Sequence, residues 1–337
     1  MVMPLIRKAQ PDFREVHTDE VLTSISVAYL PDLNAELISG SAFPVVSVLR
    51  ASDKYRVYDK EDFNKAQARK RAPGTESHGS GYRVGSDVYS TEVFAFHKDV
   101  DDWTRPNADG VLDPDRDATL LVTRSLLLTR ELEWVNKFFK TGVWTGQADQ
   151  TGVGASPGAN QFLQWNDAGS DPIADIRKAR LSIKRSTGFR PNTLVLQEEV
   201  YETLREHPDI VDRVKYTQRA LGDALGADVL AAALGVSRIL VLGTVHATGI
   251  EPGESMGFMA GKHAWLGYVA PRPGLLVPSA GYIFSWRIPN VTQGVDNVAI
   301  ERIRMPHLKS DRIEGNMAWD MKVVGADLGA FFSTCIA

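Results

Sequence analysis

Cysteine is almost missing from this chain: one residue, Cys335, in 337. No disulfide can therefore close within the chain, and a reducing cytosol is the natural place for it to fold. Long apolar runs are missing too. No stretch approaches the ~18 residues needed to cross a bilayer, so no membrane partner is expected, and residues 1–10 have no apolar segment of the kind a secretory signal requires. Charge of one sign is also scarce, with 38 basic against 42 acidic residues for a net of −4. That balance gives no general reason to expect nucleic-acid binding. Internal repeats and low-complexity tracts are absent.

Catalytic and cofactor signatures are just as thin. The seven histidines show no zinc-like pairing, and a single cysteine cannot supply a thiolate cluster. There is no phosphate-binding Gly-x-x-x-x-Gly-Lys-Ser/Thr loop and no Gly-x-Gly-x-x-Gly turn following a strand. Residues 253–257 match Gly-x-Ser-x-Gly around Ser255, but that elbow needs a strand before it and a helix after it. Pro252 precedes it and Gly257, Gly261 and a strand-like run follow, so a glycine-rich turn is the better reading. Glu198-Glu199 and Asp101-Asp102 are adjacent carboxylates, which do not face each other across a site. No metal, cofactor or catalytic residue is assigned, and no enzyme activity is expected.

What is present begins with residues 113–142. Asp113 suits an N-cap and Pro114 the first helical position, Asp115 and Asp117 complement the helix dipole at one end, and Lys137 and Lys140 complement it at the other. Gly142 suits the stop. At 1.5 Å per residue this is a rod of roughly 40 Å. It bears two apolar rows, one of Leu121, Leu128, Leu132, Val135 and Phe139, the other of Leu120, Leu127, Trp134 and Phe138. Arg124 and Glu131 fall between the rows, while Arg116, Thr123, Arg130, Glu133 and Lys137 make a wet face. An ordinary core helix needs one row, and two rows suit a rod with layers on both sides or with a neighbouring subunit on one.

Ahead of the rod, residues 1–42 read as an arm with a short ordered element. Ile25, Val27 and Tyr29 fit a strand there, whereas Val21, Ile25 and Ala28 fit a helix. Residues 43–100 have a period of two: Val46, Val48, Tyr55 and Val57 on the way out, Val84, Val88, Val93, Phe94 and Phe96 on the way back. Between them lies a polar tip, and the whole reads as a long hairpin. A two-stranded ribbon is marginal alone, so it either folds back on its own domain or reaches a neighbour. After a glycine-rich loop at 147–158, helices and strands alternate from Asp171 onward. Strand-like runs follow at 264–270, 282–288, 299–305 and 317–324, arguing a mixed α/β unit.

The order of arm, long hairpin, two-rowed helix, α/β unit and returning strands resembles the major capsid protein of tailed bacteriophages. Particular residues carry the likeness: Thr187-Gly188-Phe189-Arg190-Pro191-Asn192-Thr193-Leu194-Val195-Leu196, His207-Pro208, Trp265-Leu266-Gly267-Tyr268-Val269 and Trp319-Asp320. The resemblance implies an α+β fold with residues 1–42 as N-terminal arm and 43–100 as extended two-stranded loop. Residues 101–169 and 298–337 would form a peripheral domain around a spine helix at 113–142, and 170–297 an axial domain. It implies a virion structural protein, assembled in the host cytoplasm. Its main partner would be itself, in hexameric and pentameric capsomers of an icosahedral shell. The shell would enclose double-stranded DNA without sequence-specific contacts. Separate scaffold, portal and decoration proteins are further partners the resemblance suggests, and an encapsulin-like compartment shell is the alternative.

The resemblance also implies that the extended loop lies over the peripheral domain of a neighbouring subunit, and a charge count suggests which residues would meet there. Residues 50–71 carry eight basic and four acidic residues, a net of +4, and residues 98–117 carry three basic and seven acidic, a net of −4. The expected contacts are Lys60, Lys65, Arg69, Lys70 and Arg71 on the loop, with Asp99, Asp101 and Asp102 on the acidic strip of an adjacent subunit. Trp134, in the second row of the spine, is the remaining candidate.

Overall fold

In the computed structural model of the protein, residues 37–107, 113–215, 226–247, 255–274, 277–288 and 297–337 are described. The readings made for residues 1–36, and for parts of the 216–225 and 248–254 stretches, lie outside them.

Helix α1 (Pro114–Phe138) is the long rod, and it starts as its capping chemistry dictates. The Asp113 carboxylate accepts the amide hydrogens of Asp115 and Arg116, each at 3.2 Å. It stops sooner than the glycine suggested. Phe139 leaves helical geometry at φ −89°, ψ 53°, and the Trp144 indole donates to the freed Phe138 carbonyl at 2.8 Å. Gly142 does adopt φ +83°, three residues beyond, where its N–H meets Asp149.

The two apolar rows are buried only towards the second half of the rod, and the first half buries a face that belongs to neither row. In the first half Ala118, Val122 and Leu126 are buried; in the second, Leu127, Trp134, Val135 and Phe138. At 100° per residue the buried face turns by about a third of a circle between Val122 and Trp134. Arg130 and Glu131 are buried as well, at 3% and 0% exposure, which corrects the wet-face reading of Arg130. Residues 38–43 have folded over that part of the rod.

The first half lies on a five-stranded sheet. Its strands are β1 (Val45–Val48), β4 (Glu92–Asp101), β12 (Gly281–Trp286), β13 (Ala299–Met305) and β14 (Ser310–Val323). Strand β14 is the longest, with β4 on one side and β13 followed by β12 on the other, and β1 closes the sheet in parallel against β12. Gly315 makes the contact with the helix possible. A Cβ there would lie 2.5 Å from a Val122 methyl and 2.9 Å from a Leu126 methyl.

The second half lies on a six-stranded sheet ordered β6 (Gln161–Leu163), β5 (Gln150–Val153), β15 (Gly329–Ser333), β11 (Ala264–Gly267), β7 (Thr193–Gln197) and β8 (Arg238–Leu242). Strand alternation sorts its side chains. Leu194, Leu196, Ala264, Leu266, Ala330 and Phe332 meet helices α2 (Pro172–Thr187), α3 (Glu198–Glu206), α4 (Pro208–Lys215) and α5 (Ala227–Leu234). Val195, Trp265 and Phe331 point the other way, into the core shared with the spine. A sheet buried on both faces explains the continuous apolar runs that read as short buried strands.

Two boundaries differ from expectation. The run 82–100 is not one arm of the hairpin, because it breaks at Thr91, whose amide and hydroxyl both bind the Ala51 carbonyl at 2.8 and 2.9 Å. Only β3 (Val84–Ser90) pairs with β2 (Ser52–Tyr58) in the ribbon, and β4 joins the spine sheet. Chain order also misassigned the layers. β5, β6 and β15, expected beside the spine, complete the six-stranded sheet, while β12, expected in the axial unit, belongs to the five-stranded one. A small hairpin of β9 (Val245–Ala247) and β10 (Met256–Phe258) completes the described strands. A strand directly after Ser255, where a nucleophile elbow needs a helix, agrees with the glycine-rich turn.

Candidate interaction surfaces

The ribbon has one face on its own chain. Tyr89 stacks on Phe284 with centroids 4.6 Å apart at 11°, and Tyr55 lies 5.3 Å from the same ring. Cross-strand register puts Lys54 opposite Val88, Arg56 opposite Ser86 and Tyr58 opposite Val84 on the other face. Val84 and Val88 there are 45% and 43% exposed. This outward strip, apolar and basic together, was not singled out from the sequence, although the period of two contained it.

Beyond the strands the chain makes a small knuckle. Asp59 caps the helical turn Lys60–Phe63, and the Arg83 guanidinium bridges Asp59 at 2.7 Å and Asp62 at 3.4 Å. The Arg83 amide also donates to Asp62, which holds that carboxyl below its usual range. Phe63 and Tyr82, 56% and 62% exposed, pack with Tyr58 into an aromatic cluster. Lys60 is engaged with Asp327 of its own chain and Lys65 with Asp62 at 3.3 Å. Arg69, Lys70 and Arg71 remain on the exposed tip.

The acidic strip is neutralised from within. Asp99 binds Arg312 at 2.8 and 3.1 Å, Asp102 binds Arg304 at 2.6 Å, and Asp115 binds Arg105 at 2.9 Å. Asp311 sits at the centre, 2.8 Å from Arg105, 3.1 Å from Arg304 and within reach of Arg302. Asp101 accepts the Trp103 amide at 3.2 Å. A charge count over residues 98–117 could not see arginines arriving from β13 and β14. Bonds from Arg302 and Arg304 lower the Asp311 carboxyl to about 2. Its contribution to stability is therefore full above the ordinary carboxylate value and is lost as pH falls through about 2. Asp311→Asn should flatten the acid limb of the stability curve in that window, checked by urea unfolding at stepped pH; an unchanged slope would remove Asp311 from the network.

Trp134 is corrected as a contact residue. It is 1% exposed, with Phe43 edge-on at 5.7 Å and Trp265 at 6.3 Å, inside the subunit's own core. A serine–histidine pair does occur, Ser170 Oγ to His207 Nε2 at 3.1 Å, both residues 3% exposed. The hydroxyl donates to the Asp167 carbonyl at 2.6 Å, and His207 Nδ1 accepts the Asp209 amide at 3.3 Å. That bonding leaves Nε2 as the donor to Ser170 and fixes the start of α4; the imidazole is not placed to take the hydroxyl proton. Among the described residues no His, Cys, Asp and Glu group could hold a metal ion, and no helix is long and apolar enough to cross a membrane.

No family model matches the chain. A phage-related protein from Bordetella bronchiseptica RB50 shares the architecture, with a TM-score of 0.66 and 24% identity over 94% of this chain and 97% of that one. The asymmetric unit of the bacteriophage PhiM1 mature capsid superposes with a TM-score of 0.52 at 12% identity, covering 92% of this chain and 89% of the other. The fold is that of phage capsid proteins. In sequence, the major capsid protein of Burkholderia phage BcepMu is 24% identical over 203 residues, 60% of this chain. The chain thus spans 62% of the length of that curated relative. Within the phage capsid fold, α1 is the rod between the two sheets, and the β2–β3 ribbon lies between β1 and β4 in the chain and rests on Phe284 of β12.

Proposed function

We propose that the protein is the subunit of an icosahedral phage head shell that encloses double-stranded DNA. The similarity to the BcepMu major capsid protein carries this reading. The ribbon supports it physically, since a strip with Val84 and Val88 exposed beside Lys54 and Arg56 gains most from burial against another molecule. In this reading residues 1–42 are the arm and the ribbon is the extended loop. The five-stranded sheet with the first half of α1 forms the peripheral part, and the six-stranded sheet with α2 to α5 the axial part. Hexamers and pentamers of this subunit form the shell, with scaffold, portal and decoration proteins as separate chains. Electron microscopy of the concentrated protein, with and without a co-expressed scaffold, is the test. Closed shells support the reading, and nucleic acid inside them separates a phage head from a compartment that holds proteins. A monomer at every concentration would reject it.

The basic tip, Arg69, Lys70 and Arg71, docks on a neighbouring subunit, but the expected acceptors Asp99 and Asp102 already have arginine partners. A better receiving surface is the face of β13 and β14 turned away from the spine. Glu301 and Glu314 stand directly opposite each other there, a like-charge pair that a neighbour's cation would relieve. Each exposed ion pair is worth only about 0–1 kcal/mol, so such contacts set register and rate more than stability. Reversing Arg69, Lys70 and Arg71 to glutamate should leave the fold intact and slow assembly, most at low salt where screening is weakest. Light scattering follows the rate. Partial rescue by Glu301→Lys with Glu314→Lys supports the docking, and equal rates at every salt concentration leave the tip merely solvated.

A further inference from the structure

Helix α2 turns a basic face away from its sheet. It carries Arg177, Lys178, Arg180, Lys184 and Arg185 against a single acid, Asp175, a net of +4. At 100° per residue Arg177, Lys178, Leu181, Lys184 and Arg185 fall within about 120° of arc. All five are exposed, with Leu181, 57% exposed, in the middle of them. The opposite face, with Ile176, Ala179 and Ile183, is the one buried over the six-stranded sheet. Lys178 reaches Asp175 at 4.0 Å. Among the described residues no carboxylate makes a salt bridge with Arg177, Lys184 or Arg185. Cations crowded on one helix face repel, and an anion brought up to them relieves it.

Two helices of the same layer carry the opposite charge. Together α3 and α4 hold six acidic residues against three basic, a net of −3. Glu199, Glu202 and Glu206 are exposed and fall within about 60° of arc on α3. Glu202 and Glu206 line a cleft of 440 Å³ with Asn166 and Asp167. Arg205 holds Glu202 at 2.8 Å, and Lys262 lies 3.9 Å from Glu199. Helix α5 packs against both α2 and α4, and among the described residues no salt bridge joins the basic face to the acidic one. We infer that a second copy of the chain completes this division of charge, the α2 face of one subunit docking on the α3 face of the next. Lys184 and Arg185 then meet the cleft at Glu206, and Leu181 is covered. The contact joins two different faces, so copies add head to tail until a ring closes. Pairing α2 with itself would set cation against cation. The matching acidic face, on a chain of net charge −4, favours a second copy over nucleic acid. This contact rests on the shell reading above, since it is one of those a closed shell needs.

Charge exchange tests it on the full-length chain. Arg177→Glu with Lys184→Glu and Arg185→Glu should leave circular dichroism unchanged, because all three residues are exposed. Association, followed by light scattering, should slow about tenfold at low salt and less as salt screens the faces. Lys184→Glu alone, slower by about threefold, serves if the triple variant misfolds. Adding Glu199→Lys, Glu202→Lys and Glu206→Lys to the triple variant should restore most of the rate. Adding the same charge elsewhere, as Glu92→Lys, Asp117→Lys and Asp228→Lys, should not. Equal rescue by both sets reduces the effect to net charge and overturns the proposal, as does reversal without slowing. Duplex DNA bound by the native protein and not by the triple variant gives the face to nucleic acid and also overturns it. A native protein that never associates fails the shell reading as a whole, whereas one that associates regardless of α2 fails this contact alone.

Discussion

Trp134→Ala is expected to lower the unfolding free energy by about 3–5 kcal/mol, as for other large aromatic truncations in cores. The loss should appear in the isolated subunit, with no assembly step involved. The indole fills the centre of the main core. Phe43 packs edge-on at 5.7 Å, Phe139 lies at 5.9 Å, and Trp265 comes from the six-stranded sheet at 6.3 Å. Three parts of the chain, the 38–43 segment, the end of α1 and the six-stranded sheet, therefore lose contacts when it is removed. Partial collapse is restricted because rigid elements hold the cavity open on two sides. Urea unfolding followed by tryptophan fluorescence and circular dichroism measures the change. If the variant kept native stability and lost only the ability to assemble, Trp134 would be a surface residue after all and the packing described for α1 would be wrong.

The spine was legible in the sequence because its signals are local. Asp113, Pro114 and an uninterrupted apolar periodicity all act within the helix itself. Its double row held only in the second half, while the first half buries Ala118, Val122 and Leu126 of neither row, because which face meets which sheet depends on strands almost 200 residues away. Leu120 and Trp134 belong to the same row by spacing, yet one is 40% exposed and the other 1%. The partners of the acidic strip were hidden for a related reason. Asp99 and Asp102 looked like an unpaired strip because Arg312 and Arg304 come from the far end of the chain. The sheet assignments erred where sequence neighbours part company: β14 ends at Val323 in one sheet and β15 begins at Gly329 in the other. The outward ribbon strip was available from alternation alone, once the break at Thr91 set which residues form β3.

Glu131→Leu is the second substitution expected to have a large effect. The carboxylate is 0% exposed, and its two oxygens satisfy the amides of Ile38 and Ser39. Leucine fills similar space but accepts nothing, leaving two buried donors orphaned at about 1–3 kcal/mol each. Residues 38–43 should loosen from the helix, and Phe43 with them. Glu131→Gln is the gentler variant, because it keeps one acceptor oxygen while turning a donor towards the second amide. The comparison with glutamine also has a sign that pH reveals. Burial raises the Glu131 carboxyl above its ordinary value, outweighing the amide donors that pull it down. A raised folded pKa means the folded state holds the proton more tightly than the unfolded one. The stability this gives is fully present below the unfolded value and is lost as pH rises through the folded one. Native stability minus that of Glu131→Gln should therefore fall as pH rises from the ordinary carboxylate range towards neutrality. Urea unfolding of both proteins across that range measures it, and the Asp311 network cancels because it is common to both. A difference that instead grew with pH would mean that the two amides, not burial, dominate the site, and that Glu131 grips residues 38–39 most strongly as the ion.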